Sequence, residues 1–527
     1  MAEQFVVEDQ SAVAALLCDL ATHGGEPVSR IDTHGAMVFL TPDRVFKVKR
    51  AVDFSYMDFS TRAKRLAALE EELRVNRRTA PDLYLGIAPI LTDGDALRLG
   101  ETGEAAADAV EHALVMRRFE ATFDEIADQG RLEPGHIIAI AEQAAALHLT
   151  AEEHYRSDPA GRVGDAIAGA VRQARRNPEI LDPALVDQVE AQLRLLAQAA
   201  AGTIRQRAAA GLERHCHGDL HLRNICLFEG KPTLFDAIEF NPEFANIDLL
   251  YDLAFLLMDL EGRGLRPLAN LALNTYLDRR LASGWPDEGG LSLLPLFMSL
   301  RALIRAEVGA NMASVQRDAA RSAAQKAEAT SHLSLADALL ETDPPRLIAV
   351  GGLSGSGKST LAGELAPLAG RSPGARWLRS DVTRKALEGL GPLERLPSGA
   401  YTPKQSARVY RHLLEAAATS LAAGQSVVLD AVYARPAERF AVEALAARMG
   451  VPFHGIWLDA PEETRAERVD VRTGDASDAG PSVAASQSSY DLGPMRWTRV
   501  DGARGVEAVL EEARSLLSLD PEPQSPL

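Results

Sequence analysis

The sequence predicts a mixed α+β first half joined to an α/β second half built on a parallel sheet. Three observations carry that expectation. In "ALLETDPPRLIAVGG" a helical, alanine-rich run ends at Pro344 and Pro345, and "RLIAV" begins a short buried strand. Beyond that break the order is strand, glycine loop, helix, and then the strands "ARWLRSD", "SVVLDAV" and "PFHGIWLDA" separated by helices, which is the alternation of a parallel α/β sheet. Before it, a small mixed region leads into a longer helical one. The join falls near residue 343, giving domains at 1–343 and 344–515 with a proline-rich, polar tail at 516–527 that is expected to be disordered.

Taken in order, "AMVFL" and "VFKVKR" around the turn "TPDR" read as a hairpin. The charged run "STRAKRLAALEEELRVNRR" reads as a helix, and "ALVMRRF" as a further strand. These make a small lobe over about 1–118. Residues 119–343 are mostly helical, interrupted by "RHCHGDLHLRNICLF" and by a hairpin of "ICLF" and "TLFDAIEF" around "EGKP". No fixed-period repeat is visible.

Composition narrows the function classes. A 46% hydrophobic and 25% charged chain of 527 residues is ordinary for a soluble globular protein, while only 5% aromatic residues and abundant alanine favour helix-rich packing. The net charge of −18, from 74 acidic against 56 basic residues, offers no footprint for nucleic acid or an anionic membrane. Three cysteines, Cys18, Cys216 and Cys226, have no paired spacing and fit a reducing cytoplasm. "MAEQFVVEDQ" lacks a signal-peptide pattern, and "IDLLYDLAFLLMDL" is too short and too acidic to span a bilayer.

"GLSGSGKST", Gly352 to Thr360, satisfies G-x-x-x-x-G-K-[ST] between a strand and a helix. Gly352, Ser354, Gly355, Ser356 and Gly357 let backbone N–H groups face phosphates, Lys358 reaches the β- and γ-phosphates, and Ser359, followed by Thr360, is placed to hold Mg²⁺. Asp430 ends the strand "VVLD", either in the Mg²⁺ shell or as a solvated strand-end carboxylate. Asp381 in "RSDVTRKAL" is a candidate proton acceptor, with Arg384 anchoring an anionic group, the alternative being a helix N-cap aspartate. Arg465, Arg468 and Arg472 lie on one helical face that either closes over phosphates or is merely solvated.

In the first half, His215, Cys216, His217 and His221 suggest a metal, but Cys216 between two histidines on a strand points away from both, and no second cluster has zinc spacing. Asp219 and Asn224 instead have the separation of the catalytic-loop pattern H-R-D-x-x-x-x-N. A carboxylate there orients an acceptor hydroxyl, and an amide five positions on ligates Mg²⁺. Asp236 follows twelve residues later, where a second Mg²⁺ ligand is needed. Upstream, Lys47 or Lys49 is the candidate phosphate lysine, Lys47 being preferred for its apolar neighbours, and one of Glu70, Glu71 and Glu72 its ion-pair partner, taken as Glu72.

These motifs carry two resemblances. "HGDLHLRN" with "LFDAIEF" resembles the aminoglycoside phosphotransferase and choline kinase branch of the protein-kinase-like fold, over about residues 25–335. That implies a bilobal domain in which Asp219 is the catalytic aspartate, Asn224 and Asp236 hold Mg²⁺, and Asp252 in "YDLA" supports the loop. "SRIDTHGAMVFL" departs from that pattern, having Gly35 but no full glycine-rich loop. Residues 344–515 resemble small P-loop kinases, among them gluconate kinase-like and zeta-toxin-like proteins, which assigns the acceptor to Asp381 and Arg384 and the lid to Arg468 and Arg472. The whole looks like a known bacterial fusion of the two. It implies a bifunctional ATP- and Mg²⁺-dependent kinase acting on small-molecule hydroxyl acceptors. Two other readings stand beside it: a regulatory protein whose first half senses a ligand while only the P-loop half turns over ATP, and a nucleotide switch that drives partner binding.

Overall fold

The structure is a computed structural model and describes residues 6–54, 57–154, 157–316, 318–396, 402–470, 477, 487 and 489–519. Arg472 and the end of the predicted tail, from residue 520, lie outside the described residues. The chain divides into two compact units. One comprises Met1–Pro159, Arg205–Leu256 and Met312–Ser322, and the other Ala160–Ile204, Leu257–Asn311 and Ala323–Leu527.

The first unit is organised on an antiparallel sheet. Helix α1 (Ser11–Cys18) precedes β1 (Ser29–Asp32), β2 (Ala36–Leu40) and β3 (Arg44–Lys49); after helix α2 (Arg62–Asn76) come β4 (Tyr84–Asp93), β5 (Ala96–Leu99) and β6 (Glu111–Arg117). The strand order is β1-β2-β3-β6-β4-β5. Side chains alternate across β3, so Phe46 and Val48 join Val13, Ala14 and Leu17 of α1 in one apolar cluster. Val45 joins Leu69 of α2 in the cluster on the other face, and the same period puts Lys47 and Lys49 on the α2 side. Helix α2 starts at Thr61, whose hydroxyl accepts the Lys64 N–H.

Helix α3 (Pro134–Thr150) leads towards β7 (Glu213–His215), which pairs with β10 (Asn246–Asp248). Between those two strands lies a hairpin of β8 (Ile225–Phe228) and β9 (Lys231–Leu234), and helix α4 (Leu249–Gly262) follows β10. The hairpin forms where the sequence reading put it, but with a tighter turn: β9 takes Lys231 and Pro232 from the expected "EGKP" turn and ends at Leu234, so residues 235–240, Asp236 among them, lie outside the strand.

The second unit holds a parallel sheet of β11 (Leu347–Gly352), β12 (Arg376–Arg379), β13 (Val427–Asp430), β14 (Phe453–Asp459) and β15 (Thr498–Asp501) in the order β12-β13-β11-β14-β15. Every residue of β11 is buried, as a central strand covered on both faces requires. The unit also includes helix α5 (Arg266–Ala282) and part of α6 (Leu294–Val315). Around the sheet run α7 (Lys358–Leu365), α8 (Ser380–Ala386), α9 (Pro403–Ala422), α10 (Pro436–Met449), α11 (Glu462–Asp470) and α12 (Val506–Leu517). Residues from α9 and α10 share one core cluster with the sheet, and residues from α7 and α12 share another.

Strand β12 is an edge, and α5 satisfies part of it. Asn270 Nδ2 donates to the Ala375 carbonyl (2.9 Å) and Asn274 Oδ1 accepts the Trp377 N–H (2.7 Å). Arg376 is fully buried between Asp278 at 2.7 Å and Glu288 at 3.3 Å. Among the described residues no helix is long and apolar enough to cross a membrane.

Candidate active sites

The first site grows from the α2 face of β3. Lys47 Nζ lies 2.8 Å from Glu72 Oε1 and 2.7 Å from Asp236 Oδ1, while Lys49 Nζ lies 2.6 Å from Glu72 Oε2 and also meets Glu239. The result is an alternating chain, Asp236, Lys47, Glu72, Lys49, Glu239. Burial disfavours the Lys47 charge, but Asp236 and Glu72 overcome it and hold its pKa well above the usual value. Burial likewise works against ionised Glu72, yet Lys47 and Lys49 bring it down to about 2. Of the other two candidate glutamates, Glu70 is exposed and Glu71 pairs with Arg74.

Asp236 has φ +58, a left-handed conformation that aspartate tolerates better than most residues. Its N–H donates to the Tyr84 hydroxyl (3.1 Å), and the Ala237 N–H donates to Asn76 Oδ1 (2.8 Å). The loop "HGD" is held from behind by Asp252 of α4, which accepts from the His217 N–H (3.0 Å) and the Gly218 N–H (2.8 Å). Gly218 has φ +86, and a Cβ there would stand 2.9 Å from the Phe244 carbonyl, so only glycine fits. Burial lowers the His217 pKa; the neutral ring sets Nε2 against the Phe235 carbonyl at 2.9 Å and Nδ1 against the Asp219 N–H at 3.4 Å.

The side chain of Asp219 is 37% exposed. Asn224 Nδ2 donates to Asp219 Oδ2 at 2.7 Å, and the amide oxygen is the atom of that side chain able to serve as a metal ligand. The histidine and cysteine cluster does not assemble: His215 Nδ1 faces Asn246 Oδ1 and His221 Nε2 faces Asp219. Among the described residues one metal-compatible group gathers, His148, Cys216 and Asp252. Asp252 is already engaged there by two backbone N–H groups and by His148 Nε2 at 3.0 Å.

The second site sits at the carboxyl ends of β11, β12 and β13, where open α/β sheets bind ligands. Gly352 ends β11, and the loop reaches α7, which begins at Lys358. Gly355 has φ +82, and a Cβ there would collide with the Arg465 carbonyl, so α11 lies directly on the loop. The Ser354 N–H donates to Gln487 Oε1 (2.7 Å), and the buried Ser356 hydroxyl has no partner among the described residues. Lys358 is buried, Ser359 half-buried and Thr360 exposed.

Burial raises the Asp430 pKa, opposed by Lys358 and by a hydrogen bond from Ser359, while Asp381 acts on it as a like charge. Asp381 is the second residue of α8, whose N-cap is Arg379, so it is not the helix N-cap aspartate that the sequence offered as the alternative. Arg384 is buried, with Nη1 3.5 Å from Ser406 Oγ. Arg468 Nη1 donates to the Gly502 carbonyl (2.7 Å) and lies beside Gly357 of the loop, whereas Arg465 is buried and donates to the Ala460 carbonyl (3.2 Å). The described part of the row, Arg465 and Arg468, is therefore not a solvated face. Residues that sequence reasoning missed are Glu239, Tyr84, Asn76, Gln487 and Arg379; only Glu239, three residues after Asp236 in "DAIEF", carried a usable signal.

A family model described as an AAA domain matches residues 347–490. Uncharacterized protein Rv2004c of Mycobacterium tuberculosis (strain ATCC 25618 / H37Rv) is 30% identical over 492 residues, covering 90% of this chain and 93% of that protein. Uncharacterized protein Mb2027c of Mycobacterium bovis matches with the same figures. A choline/ethanolamine kinase family protein from Mesorhizobium loti overlaps 62% of this chain and 98% of its own, at 15% identity and a TM-score of 0.34. A gluconokinase from Sinorhizobium meliloti 1021 overlaps 33% of this chain and 92% of its own, at 24% identity and a TM-score of 0.24.

Proposed function

We propose, for a chain that belongs to one family with the mycobacterial protein Rv2004c across nine-tenths of its length, two ATP-dependent phosphotransferase sites acting on small-molecule hydroxyl acceptors. The observation that carries this reading is the Lys47 ammonium between Glu72 and Asp236. A lysine fixed by one buried acid and touching a second, partly exposed one supports this reading, because phosphate oxygens and their cation need such a cation and carboxylate side by side. In the first site Asp219 accepts the proton of the acceptor hydroxyl, Lys47 binds phosphate, and Asn224 and Asp236 hold Mg²⁺. In the second, Lys358 and the loop amides cradle phosphate, Ser359 and Asp430 hold Mg²⁺, Asp381 takes the acceptor proton and Arg384 its anionic group, with Arg468 and Arg472 closing over the phosphates.

The donor sets fit the cation: amide, hydroxyl and carboxylate oxygens are the hard ligands that Mg²⁺ prefers. When bound, the ion neutralises charge on the phosphates; positioning and the remaining charge stabilisation come from the side chains named. Three free cysteines, two of them buried, fit a reducing cytoplasmic setting.

One observation favours a second reading, in which the first half senses a ligand and only the P-loop half turns over. The turn between β1 and β2 carries the single glycine Gly35, packed where a Cβ would lie 3.0 Å from Met57. Both readings meet the same experiment: ATP consumption by the full chain across sugars, sugar acids, amino alcohols, aminoglycosides and nucleosides, with Asp219→Ala and Lys358→Ala. Two acceptor-dependent activities, each lost in one variant, are expected. Turnover lost only in Lys358→Ala selects the sensor reading, and turnover indifferent to both substitutions ends the bifunctional one.

A further inference from the structure

Arg379 ends β12 and pairs with Asp430 across the parallel ladder. Its guanidinium lies over the Trp377 ring, 4.2 Å from the centroid, and its Nη2 is held by Asp278 Oδ2 at 3.1 Å. The other Asp278 oxygen meets Arg376 Nη2 at 2.7 Å, so one carboxylate of α5 aligns both arginines of the strand. Asp278 lies outside residues 347–490, the span that the AAA model matches. The Arg379 Nε is buried and meets no acceptor among the described residues. An orphaned charged donor is costly unless a ligand supplies the acceptor. The Arg379 charge also acts on Asp430, which in turn accepts from Ser359 beside Lys358.

We propose that Arg379 contacts the γ-phosphoryl oxygens of nucleotide on the P-loop, and that Asp278 of α5 is the positioning residue that aims it. The inference rests on the reading of Lys358, Ser359 and Asp430 as an ATP site. A planar guanidinium stacked on an indole and gripped at one end presents its remaining donors in a fixed direction, as phosphate recognition requires. The second site thus draws a residue from the segment that precedes the P-loop domain.

The test uses the full chain carrying Asp236→Ala, so that nucleotide binding reports the P-loop alone, and measures the affinities of fluorescent ATP and ADP analogues with Mg²⁺. Arg379→Gln is expected to weaken ATP about tenfold, the size of one charge-assisted hydrogen bond, and ADP less than about twofold. Asp278→Asn should reproduce that split, and the double variant should bind no more weakly than either single one. Equal losses for ATP and ADP, unchanged ATP binding, or additive losses in the double variant overturn the proposal. Arg379→Gln leaves Arg376 paired with Asp278 and Glu288, so it decides the matter even if Asp278→Asn unfolds. If Lys358→Ala in the same background leaves both affinities unchanged, the site reading itself fails and takes the inference with it.

Discussion

Lys47 and Lys49 show how far one strand period can be read. Both face α2 and both reach Glu72, so spacing alone does not tell them apart; they differ in the second partner, Asp236 for Lys47 and Glu239 for Lys49. The contact with Glu239 joins residues 190 positions apart, which no local pattern encodes. Lys49→Met should therefore strand Glu239, 8% exposed, without its cation. The expected loss is about 3 kcal/mol of unfolding free energy in urea, largely restored by adding Glu239→Gln. A second residue predicts a pH dependence. Glu307 of α6 is pushed from the usual 4.5 to about 7 by burial, against a hydrogen bond from Asn311 and the charge of Arg176. With the folded value above the unfolded one, the contribution is fully present below pH 4.5 and is lost as pH rises through 7. Glu307→Gln, which keeps an acceptor for Asn311, should gain on the order of 3 kcal/mol over the wild type at pH 8 and nothing at pH 4, measured by denaturation at both values.

Elements were legible where one period dominated. The hairpin of β2 and β3, helix α2, and the strands β11 to β14 follow from apolar alternation, a capped charged helix and short buried runs bounded by turns. Helix α5 was not legible in the same way. Asn270, Asn274 and Asp278 recur every four residues, a pattern that reads as a solvated polar stripe, yet they seal the backbone and arginines of an edge strand about a hundred residues away. An edge strand needs such a cover because its unpaired N–H and C=O groups otherwise recruit other chains. Asn274→Ala removes the acceptor from the Trp377 N–H and one contact of Arg376. A loss of about 1–3 kcal/mol in unfolding free energy is expected, the cost of leaving a partly buried donor unpaired. An unchanged thermal midpoint would show that water replaces the amide without penalty.

On the scale of the whole molecule, the two compact units do not follow the chain in simple halves: residues 160–204 and 257–311 group with the P-loop segment. Sequence reading sees the break at Pro344 and Pro345 because proline acts locally, whereas grouping by packing is decided by contacts such as Asp278 with Arg376 that join distant segments. Each unit nevertheless carries its own candidate phosphate lysine and its own acids, Lys47 with Asp236 in one and Lys358 with Asp430 in the other. Two sets of charges that share no residue should bind independently, so the full chain is expected to take up two equivalents of Mg²⁺–ATP in calorimetry. Asp236→Ala should leave one, because the proposed first site then loses a cation ligand and Lys47 an acid partner. Lys358→Ala should leave the other, and the two substitutions together should leave none. A single equivalent that survives Asp236→Ala and vanishes with Lys358→Ala would mean that the chain of charges around Lys47 is structural and holds no nucleotide.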